Sequence, residues 1–355
     1  MATSPELNFG AKLDLLPALG AVLFTALAAL LTGIRRGLDD ESSLYLHVLY
    51  AATRRLTTRL SAPQLQWFFP STNAAYERQA RMAKMATRTV RLPHGAKGHW
   101  IGDPEAQHVL VWYHGGGFSL HALEGHFAYF TRLIQSRQGA GSTLAVLFLE
   151  YSLAPAARYP VQLRQAVEAL RYLVEETKHT PSQITLGGDS AGGNLVIGVL
   201  SHMVHRHESI SELTLREPIA AAVMMSPWCV LNDADQNLYA SDGADVITAL
   251  ALEHWVDNYM GVAIPDHYTD AMLAPPEWFR GLPTKNILVL AGGNEYLLPS
   301  INLLVKNLEA GYGPVEFHVA SREAHVAPFI NLFYRYSEPT GQGKMLQTWL
   351  EKVIS

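Results

Sequence analysis

The chain has 355 residues, 48% of them hydrophobic and 17% charged, which is enough length for one large or two ordinary domains and excludes a disordered chain. Lys and Arg number 27 against 32 Asp and Glu, and the net charge of −5 argues against nucleic acid as a partner. The single cysteine, Cys229, excludes an internal disulfide and a cysteine-rich metal site, and its setting in Ser226-Pro-Trp-Cys-Val reads as buried packing.

Residues 15–34 run for twenty positions without a charge. As a helix rising about 1.5 Å per residue they reach about 30 Å, the thickness of a hydrocarbon core. A core helix would carry a polar face, and here only Thr25 and Thr32 break the run. A cleaved signal would have a basic flank, whereas Glu6, Lys12 and Asp14 precede it. Residues 1–36 are therefore expected to form a single-pass membrane anchor. Arg35-Arg36 behind the run favour a cytosolic position for the rest of the chain; Asp39, Asp40 and Glu41 sit close by, but acidic residues count little in this rule. None of the eleven Asn residues begins Asn-X-Ser/Thr, which agrees; the endoplasmic reticulum is the expected membrane.

Residues 42–60 and 73–87 read as amphipathic helices, separated by Ala62-Pro63 and Pro70 as breakers. Beyond them the pattern alternates. Strands are expected at 89–92, 98–101, 108–113, 143–149, 183–186, 219–225, 286–290 and 315–319, most of them continuous apolar runs of the kind buried on both faces. Helices are expected at 127–137, 161–176, 193–207, 299–310 and 341–353. This is an α/β fold with crossover connections, interrupted at about 228–281 by aromatic, Pro-rich sequence that reads as an insertion.

Behind the run 108–113 comes His114-Gly-Gly-Gly-Phe118. Successive glycines let a backbone approach a substrate closely and turn N–H groups towards an oxygen that gains charge. Further on, Gly188-Asp-Ser190-Ala-Gly192 matches G-x-S-x-G between an expected strand and an expected helix. A serine at such a turn has a strained backbone, and neighbours without Cβ relieve the crowding. A nucleotide-binding loop is disfavoured, because neither G-x-x-x-x-G-K-[ST] nor G-x-G-x-x-G accompanies it.

His114-Gly-Gly-Gly117, Glu150-Tyr-Ser-Leu-Ala-Pro155 with Arg158-Tyr-Pro160, and Gly188-Asp-Ser-Ala-Gly-Gly-Asn194 together resemble the hormone-sensitive-lipase-like branch of the α/β-hydrolases, over about residues 88–350. With the amino-terminal run, the chain is similar to fungal steryl-acetyl-hydrolase-type proteins and to hydrolases of fungal secondary-metabolite clusters. The resemblance implies an α/β-hydrolase fold in residues 88–355: a mostly parallel eight-stranded sheet with flanking helices. It also implies a helical cap from residues 37–87 and the insertion, and neither metal nor cofactor.

A serine nucleophile needs a base and an orienting carboxylate, in chain order Ser, Asp/Glu, His for this fold. No Asp follows Asp270, and where the family carries D-x-L-x-D this chain reads Glu295-Tyr-Leu-Leu-Pro299. Glu295 follows the strand 286–290 and precedes His325 by thirty residues, so it is the expected acid; Glu309 and Glu323 are poorer candidates. Of the two late histidines, His318 lies inside a strand, while His325 sits in a loop that matches the family's histidine loop.

The expected chemistry is serine hydrolysis of a carboxylic ester, acetyl or another short acyl, of a sterol-like or secondary-metabolite molecule. Ser190, His325 and Glu295 would form the triad, and the N–H groups of Gly116, Gly117 and Ala191 would bind the oxyanion. His121, Trp228 and Trp255 are expected to wall the pocket, while His202, His205 and His207 read as surface residues without carboxylate ligands for a metal. The same residues also fit an acyl-transferring or cyclising enzyme, or a non-catalytic binding protein; retention of His325 with Ser190 speaks against the last.

Overall fold

The computed structural model of the chain describes residues 6–35, 41, 43–137, 144–231, 240 and 244–354. Arg36, Asp39 and Asp40 of the flanking-charge argument, and the expected strand start at Thr143, lie outside them.

Five helices precede the sheet: α1 (Phe9–Leu13), α2 (Leu15–Thr32), α3 (Leu44–Arg59), α4 (Ala62–Phe68) and α5 (Thr72–Ala83). Strands β1 (Arg88–Arg91), β2 (Lys97–Ile101) and β3 (His108–Tyr113) follow, then α6 (Glu124–Arg137), β4 (Leu144–Glu150) and α7 (Val161–Glu175). Next come β5 (Ile184–Asp189), α8 (Ala191–Val204), β6 (Ala221–Met225), α9 (Ala249–Met260) and β7 (Ile287–Gly292). The chain closes with α10 (Leu298–Gly311), β8 (Glu316–Ala320), α11 (Ala327–Phe333) and α12 (Gly341–Val353). Among the described residues one eight-stranded sheet has the order β1-β2-β4-β3-β5-β6-β7-β8. β2 pairs antiparallel with β1 and β4, and the other pairings are parallel.

The apolar runs are strands because both faces are buried. Val109, Val111 and Tyr113 of β3 enter one core cluster, and Leu110 and Trp112 enter the other. The parallel strands thus aim their carboxyl ends at one edge, where the loops carrying the polar motifs emerge.

The amino-terminal segment differs from a free-standing span. The stretch Phe9–Arg35 is 27 residues long, its most apolar 18 residues have a mean hydropathy of 2.2, and it is long and apolar enough to cross a membrane. It is not isolated, because α2 lies antiparallel along α3. Arg59 at the end of α3 pairs with Asp14 before α2, and a Cβ on Gly33 behind α2 would meet Leu44 and His47 at 2.7 Å. Only Leu15, Ala18 and Ala29 of α2 are buried, so its outward face stays apolar and exposed.

Two local expectations need correction. α3 does end before Ala62-Pro63, but the dipeptide also opens a helix that was not expected, α4, because proline is tolerated in a first turn and Ser61 with Gln64 closes a capping box. His202 is buried and bonds the Ser211 carbonyl at 3.1 Å, so it is no surface residue. The helix ends at Val204; beyond it His205 stacks on Trp278 at 3.8 Å, and His207 bonds the Tyr159 hydroxyl at 3.0 Å. All three histidines serve packing.

Candidate active site

Ser190 caps α8 at the carboxyl end of β5 with φ 52° and ψ −118°, a strained conformation for a residue with a side chain. The residues two before and two after it must be glycine. A Cβ on Gly188 would stand 2.3 Å from the Gly192 carbonyl oxygen, and one on Gly192 would stand 1.8 Å from that of Tyr113. The turn is held from behind, since Ser190 N–H donates to Met225 O at 2.9 Å and Ser190 O accepts from Trp228 N–H at 3.0 Å.

The glycine loop after β3 lies directly against this turn. A Cβ on Gly115 would come within 3.0 Å of the Ser190 Cβ, and Gly116 and Gly117 adopt φ of +102° and +57°. Buried Asp189 fixes the loop: it accepts from Gly115 N–H at 3.0 Å, from Trp112 Nε1 at 2.8 Å and from His126 Nε2 at 3.1 Å. Burial pushes the Asp189 carboxyl up, but His126 and these hydrogen bonds hold it below the usual carboxylate value. His114 stacks on Tyr151 with centroids 4.2 Å apart, and burial pulls its imidazole down to about 3, which leaves it neutral.

Glu295 and His325 meet as their chain positions require. Glu295 Oε1 lies 2.7 Å from His325 Nδ1, and Oε2 accepts from Ser226 Oγ at 2.8 Å and from Gly292 N–H at 2.9 Å. The additional methylene of Glu is thus accommodated with every carboxylate oxygen engaged. Burial pulls the His325 imidazole down. The Glu295 charge and hydrogen bond, with Asp245 and Asp189 beyond, outweigh that and hold it above its ordinary value.

Ser190, His325 and Gly116 line one cavity of about 130 Å³, together with the expected His121 and Trp255. Trp255 closes on the glycine loop, where a Cβ on Gly117 would meet its ring at 2.5 Å. Trp228 does not line the cavity. It is buried against Phe118 at a centroid distance of 6.0 Å, because its main chain is tied to the Ser190 turn and its ring points into the core. Ala191 is fully buried as the first residue of α8.

Sequence reasoning missed Asp245. This carboxylate lies in the insertion, is buried, and accepts the main-chain N–H of His325 and of Tyr296. It belongs to no motif and stands eighty residues before its histidine. Asp189 and Ser226 were within quoted motifs, but nothing in their spacing pointed to these partners.

A family model described as alpha/beta hydrolase fold matches residues 110–329. An acetyl-hydrolase of Streptomyces hygroscopicus is 28% identical over 221 residues, which cover 61% of this chain and 67% of that protein. Steryl acetyl hydrolase 1 of Saccharomyces cerevisiae is 28% identical over 130 residues, covering 36% of this chain but only 28% of the yeast protein. The crystal structure of an esterase from the bacterial hormone-sensitive lipase family superposes with a TM-score of 0.64 at 24% identity, covering 88% of this chain and 99% of that one.

Proposed function

The chain belongs to the α/β-hydrolase fold family, and from that premise we propose that it is a serine hydrolase of carboxylic esters. The observation that carries the reading is the 2.7 Å contact of buried Glu295 with His325, which lines the same cavity as Ser190. Ser190 Oγ attacks the ester carbonyl while His325 Nε2 takes its proton. Glu295 holds the Nδ1 proton and stabilises the imidazolium, and the N–H groups of Gly116, Gly117 and Ala191 receive the oxyanion. His325 then returns the proton to the leaving alcohol, and water releases the acyl group by the reverse route.

The substrate proposed is a short-acyl ester, acetate first, of a hydrophobic alcohol. The names of the Streptomyces and yeast relatives and the apolar lining around Leu65, Phe69, Ile330 and Phe333 support it. Residues 37–87 with the insertion form the proposed cap, for both contribute to the cavity wall. The exposed apolar face of α2 supports membrane attachment by that face, because α2 packs along α3 and does not stand free as the single-pass span expected from the sequence; the basic flank behind α2 supports a catalytic domain that faces the cytosol.

Labelling of the detergent-solubilised full chain with a fluorophosphonate tests the reading. Stoichiometric modification at Ser190, abolished in Ser190→Ala together with a loss of about 10⁶ in kcat, is the expected result. A folded protein that resists labelling, or a Ser190→Ala variant with full esterase activity, overturns it.

A further inference from the structure

The wall of the catalytic cavity and the seat of the amino-terminal helix are the same side chains. Leu15 and Ala18 of α2 form a small buried cluster with Leu60 and Leu65, against which Leu56, Phe69 and Leu120 pack. Leu56, Leu65, Phe69 and Leu120 also line the cavity that holds Ser190 and His325. These side chains separate the anchor from the cavity.

The cavity is bordered on that side by a lip that is apolar and outward-facing. Phe69 meets Phe333 edge-on at 6.1 Å, and Pro70 beside them is exposed. Next to Phe69 on α4, Trp67 and Phe68 are each 43% exposed, large aromatic surfaces that a water-facing helix has no reason to carry. They do not stand alone. Lys12 lies over the Trp67 ring at 5.9 Å, and Gln64 of α4 donates to the Ala11 carbonyl at 3.0 Å, so α4 is joined to the start of the apolar helix. From there Phe9, Leu13, Leu16, Leu23 and Phe24 continue the exposed apolar face.

The charges on this face fit one occupant, a lipid bilayer. The carboxylate beside the run, Asp14, is paired with Arg59. Lys12 and Arg35 bracket the apolar stretch, and Trp67 with Lys12 is the combination that settles at a headgroup boundary. A helix lying along α3 with its outer face in lipid brings the Phe69–Phe333 lip to the same boundary.

We propose that the ester reaches Ser190 directly from the bilayer, through the lip formed by α4 and Phe333, so that the substrate class is an ester dissolved in membrane lipid. The inference rests on the ester-hydrolase and anchor readings above. A lipophilic ester concentrates in the bilayer, and a mouth at the boundary spares it transfer through water before its desolvation in the cavity. Trp67 and Phe68 guide the ester and take no part in the chemistry.

The experiment uses the full chain in phosphatidylcholine vesicles with two substrates, water-soluble p-nitrophenyl acetate and the acetate of a pyrenyl alkanol dissolved in the vesicles. For the wild type, hydrolysis of the pyrenyl ester should fall in proportion to its mole fraction when lipid is added at constant bulk concentration. A rate indifferent to added lipid overturns the proposal. In the double variant Trp67→Glu with Phe68→Glu, both positions being exposed, pyrenyl ester hydrolysis should fall at least tenfold. Flotation with vesicles and p-nitrophenyl acetate turnover should stay within twofold of wild type. A variant that floats and hydrolyses the pyrenyl ester as the wild type does also overturns it. Failure of the underlying readings looks different: a wild type that does not float removes the anchor, and one inert towards both esters removes the hydrolase.

Discussion

Asp245 accepts the main-chain N–H of His325 at 2.8 Å, while its second carboxylate oxygen accepts that of Tyr296 at 2.7 Å. Tyr296 is the neighbour of Glu295, so one buried carboxylate from the insertion ties the acid loop to the histidine loop. Burial and the Glu295 charge push the Asp245 carboxyl up to about 6, against the pull of His325. It is a positioning residue, reaching the base through the main chain and through its field.

Asp245→Asn therefore separates the two effects. The amide keeps one acceptor and turns an NH2 group towards an N–H, leaving a buried donor unpaired, which costs about 1–3 kcal/mol in urea unfolding. Loss of the negative charge also lowers the affinity of His325 for its proton, so the acid limb of kcat/KM moves to lower pH. An unmoved acid limb would show that the charge is not felt at the imidazole.

The pH dependence of the parent enzyme follows from the same site. His325 must be neutral to take the serine proton, and its surroundings hold its pKa above the ordinary 6.5. Activity should rise with pH through a midpoint above 6.5. The bound proton is stronger in the folded chain, so its stabilisation is complete below the ordinary value and is lost as pH rises through the folded one. A kcat/KM profile on a soluble ester from about pH 5 to about pH 9 checks this, and a midpoint at or below the ordinary value contradicts it.

Glu295→Gln keeps the size of the side chain and removes the charge that stabilises the imidazolium. A loss of about 10⁴ in kcat, with little change in KM, is the expected scale for the carboxylate of a triad. Glu295→Asp, one methylene shorter, should fall between the two. It cannot hold His325 Nδ1, Ser226 Oγ and Gly292 N–H at the observed 2.7–2.9 Å together. Equal kcat for wild type and Gln variant would assign the acid elsewhere.

Asp189→Asn tests the seat of the glycine loop. Three donors converge on this carboxylate, and the amide cannot accept from all of them. The loop should loosen, with kcat down by up to about 10²–10³ as oxyanion donors lose their aim, while KM changes less. Steady-state kinetics beside a urea melt separates a loosened loop from a general loss of stability.

Much of the fold was legible in the sequence because it is encoded locally. Apolar runs such as 108–113 become strands buried on both faces, and glycines at 188 and 192 are demanded by contacts of 2.3 and 1.8 Å around a turn only five residues long. Glu295 could be named as the candidate acid without the structure, because no Asp follows position 270 and it directly follows the strand 286–290. The distinction between Trp255, which lines the cavity, and Trp228, which packs beneath the nucleophile turn, was not legible; nor was the burial of His202 or the reach of Asp245 to His325. Spacing and periodicity record the backbone within a few residues. They hold no record of which side of a packed layer a tryptophan meets, or which carboxylate from a distant loop fills the space behind a histidine. That is settled only when the sheet brings the loops to one edge and each buried donor must find an acceptor.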